Sequence, residues 1–116
     1  DYDHNAPDPE HLRKTHEPFF RRIREKNPDL PIIMMSRPKP LSMLCDWEIE
    51  RREVIRKTYE NARARGDKNV YFIDGETLTA LCGNEGTVDG CHPTDFGFFS
   101  TARALIELCE REGILA

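Results

Sequence analysis

Residues 30–36 read Leu30-Pro31-Ile32-Ile33-Met34-Met35-Ser36, a short apolar run with prolines around it. The run does not alternate between apolar and polar residues, so both of its faces need cover. A central strand of a parallel sheet, with helices on either side, reads in this way. Forty residues on, Val70-Tyr71-Phe72-Ile73 is a second such run, closed by Asp74-Gly75. These two strands set the frame for everything between and around them.

Before the first strand, Asp8-Pro9 predicts a helix start: a capping carboxylate, then proline at the first helical position. Leu12, His16, Phe19 and Ile23 recur at helical spacing and define its apolar face, with a kink or a break expected at Pro18. Asn27-Pro28 ends it. Between the strands, Asp46 is the expected cap of a second helix. Trp47, Val54, Ile55, Tyr59 and Ala62 are its buried stripe, and Gly66 is its stop. After the second strand a short turn over Thr77–Cys82 leads into a polar, Gly-rich loop, Gly83–His92. Thr94 then caps a last helix whose expected inner face is Phe98, Ala102, Leu105, Ile106 and Cys109.

Strands alternating with helices of this length imply right-handed crossovers and an α/β fold with a parallel sheet. Two full strands bury little and expose two edges. The opening residues, Asp1 to Pro7, read as the end of another strand and the loop after it. Residues 1–116 are therefore expected to be the C-terminal portion of one domain, with an N-terminal portion upstream.

The composition excludes some functions. The net charge is −4, and the basic residues Arg21, Arg22, Arg24 and Lys26 alternate with acidic and apolar ones. That is a solvated helix face, so no nucleic-acid partner is expected. No apolar run approaches the ~20 residues of a membrane span. Neither the composition nor any leader pattern assigns a compartment. Cys82 and Cys91 flank the Gly-rich loop and are either a disulfide or two free thiols; Cys109 falls on the helix stripe. Zinc held by Cys82, Cys91 and His92 is disfavoured, because there is no C-x-x-C pair and adjacent Cys and His suit one tetrahedral ion poorly. No metal or cofactor is expected.

In open α/β sheets ligands sit at the carboxyl ends of the strands. Topology brings His4-Asn5, Ser36-Arg37-Pro38 and the segment Asp74–His92 to that edge. Within the last segment, Asp89 and His92 are three residues apart in a tight loop before Pro93. The carboxylate can hold one ring nitrogen and leave the other as a general base. Taken alone, the same spacing also suits a turn-capping Asp beside a surface His.

The context of that pair goes further. Asp89-Gly-Cys-His92-Pro-Thr-Asp-Phe-Gly97 resembles the last block of the SGNH (GDSL-type) hydrolase superfamily, where D-x-x-H-P precedes the closing helix. Asp3-His4-Asn5-Ala6 resembles the family's G-x-N-D block, with Asp3 in place of Gly and Ala6 in place of Asp. The resemblance implies a three-layer α/β/α, flavodoxin-like fold of which this chain is the C-terminal part. It also implies a serine ester hydrolase acting on a small acyl or acetyl ester, carbohydrate-linked esters included. His92 would be the general base, Asp89 its orienting acid and Asn5 an oxyanion-hole donor.

The family's nucleophilic serine lies in a G-D-S block that this sequence does not contain. Ser36, Ser42 and Ser100 are its only serines, and no nucleophile-elbow glycines surround Ser36. The expected partner is thus the N-terminal segment of the same protein, and the chain alone is expected to be inactive. The alternatives are a non-catalytic flavodoxin-like binding module, which predicts that Asp89 and His92 do not touch or that the loop faces away from Asn5, and a metal site at His92.

Overall fold

The computed structural model describes residues 2–114. Five helices and two strands follow in the order α1 (Tyr2–Asn5), α2 (Pro9–Lys26), β1 (Ile32–Met35), α3 (Asp46–Ala64), β2 (Val70–Ile73), α4 (Gly75–Leu78) and α5 (Asp95–Glu112). Single turns of 3₁₀-helix cover Leu41–Met43 and Gly83–Gly86. The strands β1 and β2 pair in a two-stranded parallel sheet, and the class is α/β. Two compact units can be separated. One comprises the chain through Arg37 together with Cys45–Phe72; the other comprises Pro38–Leu44 and the chain from Ile73 on.

In the first unit α2 and α3 pack against each other and cover the sheet. Phe20, Met34, Ile55, Ala62 and Val70 form its core, with Ile32, Tyr59 and Phe72 packed at the edge. Leu12 is fully buried with Ala6 and Val54 in a second cluster. Each large side chain buried in this way contributes about 1.5–3 kcal/mol. The expected stripe of α2 is corrected at one place: Phe20 is inside and Phe19 is 68% exposed. Leu12, His16 and Phe20 are each four residues apart, and this spacing sets the buried face.

The start of α2 follows its sequence, with the Asp8 carboxylate accepting the His11 N–H at 2.7 Å and Pro9 in the first turn. The expected interruption at Pro18 does not occur: one helix runs through it. Pro18 lies on the exposed face, where water can reach the carbonyl its missing N–H leaves unpaired.

The cap of α3 is Cys45, not Asp46. Glu48, three residues on, accepts the Cys45 N–H at 3.0 Å in a capping box. Trp47 is also corrected, from buried to 48% exposed. Its indole instead lies beside His4, with ring centroids 5.4 Å apart, and under the Arg51 guanidinium at 5.2 Å.

Residues 2–5 are a helical turn, not the end of a strand. The Ala6 N–H closes the turn on Tyr2 O at 2.9 Å.

In the second unit α5 packs on α4 and on the Gly83–Gly86 turn. The Ser100 hydroxyl donates to Leu78 O at 2.8 Å and accepts the Leu81 N–H at 3.3 Å. The buried residues of α5 are Gly97, Ser100, Leu108 and Cys109. Phe98 and Ile106 of the expected inner face are 61% and 45% exposed, because the small residues Gly97 and Ser100 permit the close approach and so turn that side inward. All four cysteines are free thiols.

Candidate active site

The loop between α4 and α5 is built to hold two side chains in one place. Thr87 and Pro93 form an antiparallel bridge, and the Val88 N–H donates to His92 O at 3.0 Å. Thr94 N donates to Gly86 O at 2.9 Å, and Gly90 N to the Thr87 hydroxyl at 2.9 Å. Gly90 has φ +82°, which glycine adopts without strain and which turns the chain back on Asp89. At the base of the loop Gly97 lies against Gly86 so closely that a Cβ at position 97 would collide with the Gly86 carbonyl. Thr94 caps α5 at this point, accepting the Gly97 N–H at 3.1 Å. Each of these residues lies between Gly86 and Gly97, so the sequence motif is the loop and its anchor.

Inside that loop, Asp89 and His92 touch. Asp89 Oδ2 lies 2.6 Å from His92 Nδ1, and Oδ1 accepts the backbone N–H groups of Cys91 at 2.9 Å and His92 at 2.8 Å. These contacts, led by the two from His92, hold the Asp89 carboxyl down to about 2. The His92 side chain is 75% exposed, and its Nδ1 is the nitrogen the carboxylate engages. The geometry is that of an imidazole with one nitrogen fixed by a carboxylate and the other turned to solvent. Such a ring can accept a proton from a hydroxyl and return it to a leaving group.

Asp89, Cys91 and His92 also place three potential metal-ligand atoms within 4.8 Å of one another, all exposed. Both Asp89 oxygens already accept N–H groups. Cys82, the other thiol weighed for zinc, is buried and directed at Thr79 O.

Asn5 lies in the first unit, at the end of α1, with its side chain exposed. Around it the polar groups are buried. Asp3 Oδ2 accepts the Arg37 N–H at 3.0 Å, and Oδ1 accepts the His4 N–H at 3.0 Å. Burial raises the Asp3 carboxyl, but hydrogen bonds from His4 and Arg37 outweigh it and bring it to about 2. His4 Nε2 meets Glu48 Oε1 at 3.1 Å. Arg51, buried on α3, donates to the carbonyls of Asp3, Ala6 and Pro7. Sequence reasoning did not single out Glu48 or Arg51. The signal for Glu48 was its position three residues after Cys45; Arg51 gave none, because its partners are 44 to 48 residues away.

Ser36, at the carboxyl end of β1, is 1% exposed, and so is Ser100. Asp74 caps α4 by accepting the Glu76 N–H at 2.8 Å.

The GDSL-like lipase/acylhydrolase family profile matches residues 5–110, a span that includes Asn5, Asp89 and His92. No curated protein sequence matches the chain. A structure described as a GDSL-like lipase from Bacteroides ovatus ATCC 8483 superposes with a TM-score of 0.76 and 26% identity, over 95% of this chain and 34% of that one. The salicylyl-acyltransferase SsfX3 from a tetracycline biosynthetic pathway superposes with a TM-score of 0.71 and 25% identity, over 90% of this chain and 33% of that one. The chain thus spans about a third of the length of these solved structures.

Proposed function

The chain belongs to the GDSL-like lipase/acylhydrolase family, and from that premise we propose that it carries the base, the acid and an oxyanion donor of a serine ester hydrolase. The observation that supports this most directly is the 2.6 Å contact between His92 Nδ1 and Asp89 Oδ2 in a loop whose backbone also binds the carboxylate.

The proposed reaction starts with a serine hydroxyl attacking the ester carbonyl while His92 Nε2 takes its proton. Asp89 holds Nδ1 protonated and stabilises the imidazolium that forms. The side-chain amide of Asn5 donates to the oxyanion of the tetrahedral intermediate. Collapse expels the alcohol, which receives the proton from His92, and leaves an acyl-serine. Water, activated by the same imidazole, then releases the acid. If another hydroxyl compound takes the place of water, the product is a new ester, and one structural neighbour is named as an acyltransferase. The substrate class we propose is a small acyl or acetyl ester, with the alcohol portion open to sugars.

The nucleophile in this reading is outside residues 1–116. Ser36 and Ser100 are buried, and Ser42 lies in a proline-rich 3₁₀ turn without the glycines of a nucleophile elbow. We place it in an upstream segment that completes a three-layer α/β/α, flavodoxin-like sheet around β1 and β2. The test is reconstitution. The chain alone should not turn over a chromogenic acetate ester; the chain combined with an upstream segment bearing the serine block should. Turnover by residues 1–116 alone would overturn the assignment of the nucleophile.

A further inference from the structure

Arg51 is 5% exposed on α3, and its guanidinium is spent on the backbone around Asn5. Nη1 donates to Asp3 O at 2.5 Å and to Ala6 O at 2.7 Å; Nη2 donates to Pro7 O at 3.3 Å. These three carbonyls bracket Asn5 on both sides. A four-residue turn cannot hold itself, because nucleating a helix fixes several residues for very few hydrogen bonds, and its last carbonyls have no partner within the turn. One planar fork supplies those partners here.

The turn is tied down twice more. Asp3, 3% exposed, binds the Arg37 N–H and so fixes the turn to the end of β1. His4 bridges to Glu48, which at the same time closes the capping box of α3. The Trp47 indole packs against both His4 and the Arg51 guanidinium. Buried charges are costly and seldom raise net stability over an apolar core. Here three of them, on Asp3, Glu48 and Arg51, converge on one turn whose last side chain, Asn5, is left exposed. The arrangement gives that side chain a fixed origin while leaving its amide free to meet a ligand.

We propose that Arg51 is a positioning residue for Asn5: it sets the place of the oxyanion donor through the carbonyls of Asp3, Ala6 and Pro7. This rests on the oxyanion role proposed for Asn5. A donor acts on the developing charge only when it is held about 2.7–3.1 Å from it, so loosening its backbone lowers turnover more than substrate binding.

The test is a double-mutant cycle in the protein reconstituted with its serine-bearing segment, using Arg51→Lys, Asn5→Ala and the pair, with an acetate ester. Arg51→Lys should lower kcat about 10- to 100-fold with KM within about twofold. In the Asn5→Ala background the same change should cost less than about twofold, because the two residues act as a unit. An equal loss in both backgrounds, or no loss from Arg51→Lys, overturns the proposal. Full activity of Asn5→Ala overturns instead the oxyanion role beneath it, and the two failures are distinct.

Hydrogen exchange on the reconstituted protein gives a second readout. Arg51→Lys should speed exchange of the Ala6 amide, bonded to Tyr2 O, at least about 10-fold, with the amides of α2 unchanged. Unaltered Ala6 exchange contradicts the positioning role. If Arg51→Lys does not fold, Asp3→Asn, which weakens the hold on Arg37 N, should give the same sign of effect in both measurements, and its failure to do so counts as refutation.

Discussion

Asp89 makes three hydrogen bonds within one turn, to the ring of His92 at 2.6 Å and to the backbone N–H groups of Cys91 and His92 at 2.9 and 2.8 Å. The carboxylate therefore shapes the loop and orients the imidazole at once. Which of these tasks matters for chemistry is open to experiment.

Asp89→Asn separates them. The amide oxygen can still accept the two backbone N–H groups, so the loop should keep its shape. Its NH₂ would then face Nδ1 and force the proton onto Nε2, which cannot serve as a base. Turnover by the reconstituted enzyme should fall by about 10³–10⁴, with the thermal midpoint nearly unchanged. A fall of less than tenfold would show that the carboxylate has no orienting role.

The same bonds fix a pH range. The Asp89 carboxyl titrates near 2 in the folded chain, not at its ordinary 3.8. The Asp89 side-chain carboxyl carbon shift should thus show its titration step near 2. A midpoint close to 3.8 would mean that the hydrogen bonds are not formed in solution.

Asp3 carries the equivalent consequence for stability. Its carboxyl is held to about 2 when folded against 3.8 as a free residue. A lowered folded value stabilises the fold above the unfolded value, and the stabilisation drains away as pH falls toward 2. The wild-type thermal midpoint should drop between pH 4 and pH 2, and Asp3→Asn should flatten that drop. Parallel curves would remove Asp3 from the account.

Gly97 is required by contact, not by backbone angle. A Cβ there meets the Gly86 carbonyl, which is itself bonded to Thr94 N. Gly97→Ala should destabilise the second unit by about 1–3 kcal/mol and disturb the Asp89–His92 loop, as read by denaturation and by the His92 ring resonances. A neutral effect would show that the helix can move away from the loop at no cost.

Much of this was legible in the sequence, for local reasons. The strands at Ile32–Met35 and Val70–Ile73 are short apolar runs between turn residues, and the Asp8 and Thr94 caps depend on residues within three positions. Asp89 and His92 were readable because their contact is also local. The α1 turn was not. Tyr2–Asn5 has no apolar period, and it is held by Arg51 from nearly half the chain away. Trp47 and Phe19 were misplaced for a related reason: helical spacing defines a stripe, but the partner packed against it decides which side of the stripe is covered. On α5, the small residues Gly97 and Ser100 face inward and leave Phe98 outside.

The central claim is that His92 transfers protons for an ester hydrolase, and one measurement addresses it most directly. His92 is exposed and its side chain supports no other element, so His92→Ala should fold as the wild type does. In the protein reconstituted with its serine-bearing segment, kcat for an acetate ester should fall by at least about 10³ in His92→Ala. A variant that retains the full rate would contradict the account.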